Sequence, residues 1–538
     1  MSKFDFNPDK YKKKLLPLIK ELVSLEKLTR KKYHQLLKKY PKTKSSLFSK
    51  SEIIAGIRHF KSPQGLIEKI QMKPIRTMSG VVPVTLLTKP YPCPGRCIYC
   101  PNDPAMPKSY LSAEPGAQRA ALNQFDPYNQ VTTRLQTYHA NGHSTGKVEL
   151  IILGGTWSAY PIKYQLWFIK GCFDALNDFI PGKKLKLRKP QVTGRSTWQA
   201  LAKSQQKNQT TPSRCIGLSL ETRPDFITPK EIINFRRLGC TKVQIGVQSL
   251  DNQILKLNQR GHTLKQTKKA FQLLRLAGFK IQAHWMANLY GSNPQKDIKD
   301  FKKLFSQIHY RPDELKIYPT SLIASAPLMA YYQKHLWQPY TQKQLLKVLT
   351  AVLPTIPAYC RVNRIIRDFS AKDIVSGSKT SNLRQLVEKE IIEKRKTIQE
   401  IRFREIRRRR LNLKDLKLKT ISYQTSTGQE KFLQFITRDN QIAAFLRLSL
   451  PQQKPFIKEL QNSVIIREIH VYGQALRIGE PAKTQHLGLG TQLINQSKKI
   501  AKKFDYQQLS VISAIGTKEY YRQRGFTDSQ LYQHLKVD

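Results

Sequence analysis

The stretch CPGRCIYC, residues 93–100, places three of the chain's seven cysteines within eight positions. An odd total with this spacing does not form a disulfide framework, so a reducing compartment is predicted. The clustered thiols indicate a metal or iron–sulfur site at one point of the chain. The other cysteines stand singly, at Cys172, Cys215, Cys240 and Cys360.

The number of ligands separates two hypotheses for this site. A structural zinc ion takes four ligands, and His139 or His143 could supply the fourth. A [4Fe–4S] cluster takes one cysteine per iron, so Cys93, Cys97 and Cys100 leave one iron open. An open iron can chelate an amino and a carboxylate group, as S-adenosylmethionine requires. The spacing therefore favours the cluster, with zinc as the alternative.

From about residue 80 to 370, short β-rich runs alternate with helix-like runs. KVELIILGGT (147–156) and KVQIGVQSL (242–250) predict strands, and LKQTKKAFQLLRLAG (264–278) predicts a helix with Gly278 as its C-cap. This alternation predicts parallel β/α units in a barrel or partial barrel. Catalytic residues would then lie at the carboxyl ends of the strands.

The charge of the chain predicts a polyanionic partner. Lys and Arg number 93 against 37 Asp and Glu, a formal charge of +56 that extends along the whole chain. Nucleic acid is the first candidate, because each cation that neutralises a phosphate releases a counterion, and an anionic membrane surface is the alternative. No apolar run of about 20 residues and no signal peptide is found, so a cytoplasmic protein without membrane contact is predicted.

The flanking segments differ in composition from the barrel region. Residues 1–75 predict basic helices, with Ser51 as an N-cap, that either cover the next domain or bind nucleic acid; the cation excess favours the second. The polar stretch 183–212 predicts a flexible insertion. Residues 387–410 predict a charged helix that ends in an arginine cluster at 407–410, either a solvated connector or an RNA contact.

A second candidate site lies near the C-terminus. QHLGLGTQLI (485–494) places Gly488 and Gly490 before an amphipathic helix, where free backbone N–H groups bind pyrophosphate. The strand-like REIHVYG (467–473) precedes it, and YYRQRGF (520–526) follows. This order resembles the GNAT acetyltransferase fold, whose glycine loop holds the acetyl-CoA pyrophosphate.

The first site resembles a known superfamily in its spacing. C-x3-C-x2-C is similar to the radical SAM signature, with Tyr99 where that superfamily places an aromatic residue against the adenine. Gly154 and Gly155 resemble the glycine pair whose backbone meets the methionine moiety. The cofactors implied are a [4Fe–4S] cluster and S-adenosylmethionine.

Together, the two sites resemble the catalytic subunit family of Elongator, the tRNA carboxymethyluridine synthases. The resemblance extends from SKSEIIAGI (49–57) onward and includes KPYPCPGRCIYCPN, CIGLSLETRPD, NQRGHT, LKIYPT and GTKEYYRQRGF. Together with the basic helices predicted from the charge pattern, it implies an α/β chain: a basic helical tRNA-binding arm (1–75), a radical SAM partial (β/α) barrel (76–345), a linker (346–395) and a GNAT domain (396–538). The electron donor is unknown, and a homodimer is one assembly open to the chain.

The resemblance also implies a reaction and its residues. A 5′-deoxyadenosyl radical takes a hydrogen atom from the acetyl methyl group of acetyl-CoA, and the carbon radical adds to the fifth ring carbon of the wobble uridine in the anticodon stem-loop. Oxidation and thioester hydrolysis then leave a carboxymethyl group. Cys93, Cys97 and Cys100 would hold the cluster, and Lys147, His470 and Tyr521 would be catalytic. The acetyl-CoA contacts implied are Lys147, Glu468, Ile469, His470, Val471, Gly488, Leu489, Gly490, Thr491 and Tyr521.

The chain also departs from the family pattern. Many relatives carry zinc-binding cysteines in the linker, but KTIQEIRFREI (396–406) has none, so no structural zinc is predicted. A Met-Pro-Asp motif reads Met286, Ala287 and Asn288 here. Two rival hypotheses are a protein lysine acetyltransferase with a structural cluster and a non-enzymatic tRNA-binding scaffold.

Overall fold

The computed structural model describes residues 6–63, 65–72, 77, 79–183, 185–407, 413–472 and 488–537. Its N-terminal part is a helical arm around a small apolar core that includes Leu15, Leu18 and Ile53. Ser49 caps the third helix instead of the predicted Ser51, because its hydroxyl accepts the Glu52 N–H while the Glu52 carboxylate accepts the Ser49 N–H. The helices are α1 Lys12–Ser24, α2 Arg30–Lys39, α3 Lys50–His59 and α4 Gly65–Ile70.

A parallel sheet forms the centre of the molecule, as the alternating pattern predicts. Its strands belong to the set β1 Val81–Leu87, β2 Lys147–Leu153, β3 Arg214–Thr222, β4 Lys242–Gln248, β5 Lys280–Ala287, β6 Glu314–Pro319, β7 Leu322–Ile323, β8 Arg361–Ile365 and β9 Ile374–Ser376. Seven of them pair in the order β1-β2-β3-β4-β5-β6-β8, while β7 and β9 form a small antiparallel pair. The helices between them are α5 Pro115–Leu122, α6 Pro127–Ala140, α7 Ile162–Asp178, α8 Trp198–Asn208, α9 Pro229–Arg237, α10 Asn252–Leu257, α11 Leu264–Leu276, α12 Pro294–Ser306, α13 Leu328–Gln333 and α14 Gln342–Val352.

The sheet curls into a half-barrel with an apolar face and a polar face. Apolar side chains such as Val243 and Ile245 are fully buried in the main core. Polar side chains of separate strands meet on the concave face: the Lys316 amine on β6 reaches the Gln244 side chain on β4, across β5. We call the space inside this face the lumen; it is lined by Glu149, Glu221, Lys242, Gln244, Lys280, His284, Glu314 and Lys316.

A second sheet of seven strands follows the half-barrel, in the predicted GNAT arrangement. After α15 Leu383–Glu393 and α16 Ile401–Arg404 come β10 Lys417–Thr425, β11 Gly428–Ile436, β12 Ile442–Pro451, β13 Ser463–Val471, α17 Leu489–Lys503, β14 Gln508–Val511, α18 Lys518–Arg522, β15 Thr527–Asp528 and β16 Gln533–Lys536. The strand order is β10-β11-β12-β13-β14-β16-β15. Strands β13 and β14 are parallel and pair only over 463–466 and 508–511. Beyond Ile466 they separate, so one edge of β13 has no strand partner there within the described ranges.

Buried ion pairs join the two sheets where the half-barrel strands begin. Asp313 is fully buried just before β6 and accepts two hydrogen bonds from Arg467 of β13, at 2.6 and 2.8 Å. Arg447 of β12 lies 3.5 Å from the same carboxylate. Burial alone would raise the pKa of Asp313, but the two guanidinium groups outweigh it and lower that pKa. Sequence patterns did not predict this junction.

The prediction of a flexible insertion at 183–212 is wrong for its second half. Helix α8 is capped by Thr197, and Leu201 is fully buried against the main core. Asn208 is buried as well: its amide donates to Asn177 at 2.8 Å and accepts the Cys215 N–H at 2.8 Å. The stretch is ordered by hydrogen bonds between polar side chains, which a count of apolar residues cannot detect.

The prediction of one continuous helix over 387–410 is also wrong. Helix α15 ends at Glu393, and Arg395 follows with a φ of +53°. The fully buried Glu400 carboxylate then accepts from the Val362 N–H at 2.9 Å and from the Arg384 guanidinium. This connector is therefore packed against the half-barrel and is not a solvated helix. Of the predicted arginine cluster, Arg408–Arg410 lie outside the described residues.

Candidate active site

The three clustered cysteines follow β1, at the carboxyl end of the half-barrel, where catalytic residues of such barrels lie. Cys97 and Cys100 are buried, and Cys93 is half-buried with its Sγ 3.7 Å from Thr156 Oγ1. Main-chain bonds fix the loop, since the Ile98 N–H donates to the Asn258 carbonyl at 3.2 Å. Within the described chain, no three His, Cys, Asp or Glu side chains converge on a point that would hold a single metal ion.

Two buried arginines face this loop and favour anionic ligands. Arg260 Nη1 donates to Cys97 Sγ at 3.4 Å. Burial raises the pKa of the Cys97 thiol, but Arg260 outweighs it, so that pKa lies below its ordinary value. Arg223 Nη1 is buried without a partner among the described residues, and a Cβ added at Gly95 would lie 2.3 Å from it. A cluster binds one thiolate per iron, so its ligands need not converge on one point, and this donor set fits it.

The glycine pair lies beside the cysteine loop, at the end of β2. Gly154 has a φ of +140° and Gly155 a φ of +89°. A Cβ at Gly154 would lie 1.8 Å from Thr88 Oγ1, so only glycine fits at that position. Tyr99 packs between two apolar clusters, one of which contains Met286. The loop therefore presents main-chain atoms next to the thiols.

The predicted acetyl-CoA segment is the part of β13 that has separated from β14. Ile469, His470 and Val471 pair with β12 on one edge, and no described strand pairs with their other edge. The Glu468 carboxylate already accepts two hydrogen bonds, from the Lys280 amine at 2.6 Å and from the Arg447 guanidinium at 2.8 Å. Its side chain thus fastens the segment to the half-barrel, and the open main-chain edge is what a ligand can pair with.

His470 is the titratable side chain of this segment. Its ring stacks on Phe445 with centroids 5.7 Å apart and contacts Tyr472 at 4.3 Å. Burial lowers the pKa of His470 to about 4, so the ring is neutral at pH 7. Its Nε2 is buried without a hydrogen-bond partner among the described residues, which leaves one polar atom available to a ligand.

The glycine loop leads into α17. Gly488 stands before the helix with a φ of +70° and offers no side-chain cap, so first-turn N–H groups lack a capping side chain from the described part of the chain and can bind an anion. Leu489 and Gly490 are buried, and Arg524 Nε donates to Thr491 Oγ1 at 3.1 Å. The preceding residues 473–487, including the QHL of the motif, lie outside the described residues.

Lys147 lies at the opposite end of the lumen from the cysteines. It is the first residue of β2 and pairs in register with Arg214. Partial desolvation by neighbouring atoms lowers the pKa of Lys147, and the Arg214 charge acts in the same direction. The turn at Gly516, just before α18, packs on the start of β3 beside it. A seven-residue strand spans about 20 Å. The two predicted cofactor sites therefore open at opposite ends of one polar lumen.

Comparison with known proteins identifies the family of the chain. The Radical SAM superfamily matches residues 91–305, and the Radical_SAM C-terminal domain matches residues 312–393. The "tRNA uridine(34) acetyltransferase" of Methanocaldococcus infernus is 38% identical over 479 residues, covering 86% of each chain. The human "Elongator complex protein 3" is 32% identical over 86% of this chain and 85% of its own. The chain belongs to this Elongator complex protein 3 family.

A solved structure of the family has the same fold. The archaeal Methanocaldococcus infernus Elp3 with an N-terminus deletion superposes with a TM-score of 0.72 at 34% identity, over 86% of this chain and 100% of its own. None of the helices in the described ranges is long and apolar enough to cross a membrane.

Sequence reasoning missed two residues, Tyr520 and Arg524, beside the predicted acetyl-CoA loop. Tyr520 Oη would lie 2.4 Å from a Cβ at Gly490, and its ring stacks under the Arg524 guanidinium at 3.6 Å. Tyr521, the residue predicted to be catalytic, is only 5% exposed and packs in the second core. The tyrosine pair in YYRQRGF indicated a ring near the glycine loop. Only the geometry of α18 shows that this ring is Tyr520.

The departure from the family's Met-Pro-Asp motif has a structural role. Asn288 is buried with a φ of +62°, a conformation that asparagine tolerates. Its N–H donates to Asp297 at 2.7 Å, and its side-chain oxygen accepts the Tyr340 N–H at 2.6 Å. Asn288 therefore fixes the loop after β5 through hydrogen bonds of both its main chain and its side chain.

Proposed function

We propose that this chain carboxymethylates the fifth ring carbon of the wobble uridine in tRNA anticodons, using S-adenosylmethionine and acetyl-CoA. One observation carries the proposal: a three-cysteine loop and an open acetyl-CoA-type strand lie at the two ends of one polar lumen. The names of the relatives, tRNA uridine(34) acetyltransferase and Elongator complex protein 3, support the tRNA substrate. The domain bounds predicted from the sequence form part of this proposal.

At the carboxyl end, Cys93, Cys97 and Cys100 would hold a [4Fe–4S] cluster with one open iron. When bound, that cluster supplies the electron for radical chemistry with S-adenosylmethionine. Arg260 balances the negative thiolates from the barrel side. The main chain at Gly154 and Gly155 lets the methionine moiety approach, since no side chain is in the way.

At the amino end, β13 would pair its open edge with the amide groups of the pantetheine arm. The first turn of α17 and the side chain of Arg524 would bind the pyrophosphate. Lys147 and His470 are proposed to act at the thioester, with Lys147 at the lumen entrance. Tyr521 stays a proposal from the family resemblance alone, because its ring packs in the second core while Tyr520 faces the glycine loop. The lumen would keep water from the reacting carbon.

The basic arm would bind the tRNA backbone. Residues 1–75 contain 19 Lys and Arg against six Asp and Glu. Phosphate contacts of this kind supply affinity without base recognition, while an unstacked anticodon base can enter a pocket. The proposed compartment is the cytosol, where tRNA is modified and thiols stay reduced.

The test is an anaerobic reaction with the full chain. Protein reconstituted with iron and sulfide is incubated with S-adenosylmethionine, a reductant, acetyl-CoA labelled with 13C in both acetyl carbons, and an anticodon stem-loop RNA. We expect nucleoside mass spectrometry to find 5-carboxymethyluridine with both labelled carbons. Cys97→Ala should lower product below detection, at least about 1,000-fold, because the cofactor's ligand set is broken.

Cys172→Ala is the matched control, because Cys172 is a buried core cysteine away from the site. It should retain product formation. Labelled acetyl groups on protein lysines without S-adenosylmethionine would favour the acetyltransferase hypothesis. Unmodified uridine in the wild-type reaction and in cells would overturn the proposal and leave a tRNA-binding scaffold.

A further inference from the structure

Three lysines project into the lumen, and two of them are neutralised by carboxylates. Lys242 lies 2.5 Å from Glu149 and 3.5 Å from Glu314. Lys280 lies 3.2 Å from Glu314 and 2.6 Å from Glu468. These two amines link the amino ends of the strands, and their charges are neutralised by the neighbouring carboxylates.

The third amine, Lys316, lies one step closer to the cysteine end and differs from both. Its Nζ donates to the neutral Gln244 Oε1 at 2.5 Å, and no described carboxylate lies within salt-bridge distance of it. Gln244 is itself held by Ser219 at 2.9 Å and lies 3.3 Å from His284. An ammonium group has three N–H donors, so two remain available inside the lumen.

We propose that the Lys316 ammonium group binds a carbonyl oxygen of the substrates where they meet in the lumen. This inference rests on the proposed function, which requires the acetyl carbon and the uracil ring to come together between the two ends. Both reactants present such an oxygen: the thioester carbonyl of acetyl-CoA and the 4-carbonyl of the ring. Among the three lumen lysines, Lys316 is the cation without a described anionic partner within salt-bridge distance, so it can donate a charge-assisted hydrogen bond to either oxygen.

The surroundings of Lys316 suit a bound neutral oxygen. Burial lowers the pKa of Lys316 to about 8, and nearby cations act in the same direction, while Glu221 opposes them. Burial keeps the pKa of His284 well below its ordinary value, so that ring is neutral. The charged and titratable groups that face the amine from the packed elements are Glu221 on β3, Lys242 on β4, His284 on β5, and Arg364 and Arg367 at the end of β8.

The first test measures binding and does not depend on turnover. The full reconstituted chain is titrated with acetyl-CoA and with S-ethyl-CoA, which lacks the carbonyl oxygen. It is also titrated with stem-loop RNAs that carry uridine or a pyrimidin-2-one without the 4-carbonyl at the wobble position. Wild type should prefer one carbonyl-bearing ligand by about 10- to 100-fold, the value of one hydrogen bond to a charged group.

Lys316→Met should abolish that preference while thermal unfolding stays unchanged, and Lys316→Arg should retain it. If the variant loses the preference for acetyl-CoA over S-ethyl-CoA, the oxygen bound by Lys316 is the thioester carbonyl. If it loses the preference between the two RNAs, the bound oxygen is the 4-carbonyl of the ring. If Lys316→Met keeps both preferences at wild-type values, the proposal is overturned. A wild type that shows the preference but makes no carboxymethyluridine would disprove the proposed function and leave this site standing.

A pH profile adds a readout that a structural lysine would not change. The ammonium form is required, so product formation by wild type should fall as pH rises through about 8, the pKa of Lys316. Lys316→Arg should lack this alkaline limb, because guanidinium stays protonated. Identical alkaline limbs in the two proteins would contradict the assignment.

Discussion

The two ends of the lumen hold their charges in opposite ways. At the amino end, the Asp313 carboxylate accepts two hydrogen bonds from the buried Arg467 and lies 3.5 Å from the buried Arg447. At the carboxyl end, Arg260 faces the Cys97 thiol, and one nitrogen of Arg223 has no partner among the described residues. The first arrangement is complete without a ligand. The second leaves cationic groups beside thiols, as an anionic cofactor requires.

This difference separates stability from function within one fold. Removing a charge at the amino end leaves its partner buried and uncompensated, which costs folding free energy. Removing a thiol at the carboxyl end takes away a ligand while the half-barrel core, built from residues such as Leu150 and Ile245, stays intact. Variants at the two ends should therefore fail in different assays.

The largest expected effect on stability is that of Asp313→Ala. It leaves Arg467 and Arg447 without their shared carboxylate, and breaking a buried pair costs roughly 3–5 kcal/mol. We expect a matching loss in the free energy of unfolding in urea. Asp313→Asn keeps the shape and one acceptor and should still fold if the alanine variant does not.

The control for this prediction is Asp368→Ala. Asp368 is 54% exposed and pairs at 2.7 Å with Arg364, whose side chain is 43% exposed. Exposed pairs contribute about 0–1 kcal/mol, so this variant should unfold almost like wild type. Equal losses at the two positions would show that the junction does not fasten the two sheets.

A smaller effect is expected from adding one methyl group at a glycine. Gly154→Ala places a Cβ 1.8 Å from Thr88 Oγ1, and such crowding costs about 1–3 kcal/mol. It should also weaken S-adenosylmethionine binding, measured by equilibrium dialysis with the reconstituted protein. Gly488→Ala is the matched variant: Gly488 has a positive φ, and no atom of the described residues lies within 4 Å of an added Cβ, so only about 1–2 kcal/mol of backbone strain is expected.

Thr88→Ala sharpens this comparison. Combined with Gly154→Ala, it removes the crowding oxygen and should recover part of the lost stability, although Thr88 also bonds to Tyr160 at 2.7 Å. No recovery would mean that the φ of +140° at Gly154, and not the contact, makes glycine necessary.

Much of the fold and of both sites could be predicted from the sequence, because the signals are local. The cysteine spacing, the glycine pair and the alternating strands each lie within a short window, and the structure has the predicted half-barrel and second sheet. Gly278, predicted to end α11, follows it with a φ of +72°. The site assignments themselves stay predictions, since they concern ligands.

The features that were missed depend on contacts between distant parts of the chain. Asp313 and Arg467 are 154 residues apart, and neither belongs to a local pattern. Helix α8 is ordered by Asn208 and its partners and has few apolar residues to reveal it. The choice between Tyr520 and Tyr521 depends on the rotation of one short helix, which single-residue propensities do not determine.

The most gradual effect is expected from acid at the amino end, because it is spread over the pH range between two pKa values. The pKa of His470 is about 4 in the fold, below its ordinary 6.5, so between these values the unfolded chain takes up a proton that the folded chain does not. Stability should therefore fall as pH drops from 6.5 towards 4, by at most about 1.4 kcal/mol per pH unit for this residue. His470→Phe keeps the stack on Phe445 and should remove that part of the slope in urea unfolding at several pH values. Because the other buried histidines contribute equally to both proteins, the difference isolates His470. An unchanged slope would mean that the ring accepts a proton in the fold, and that the amino end can balance one more charge than its ion pairs indicate.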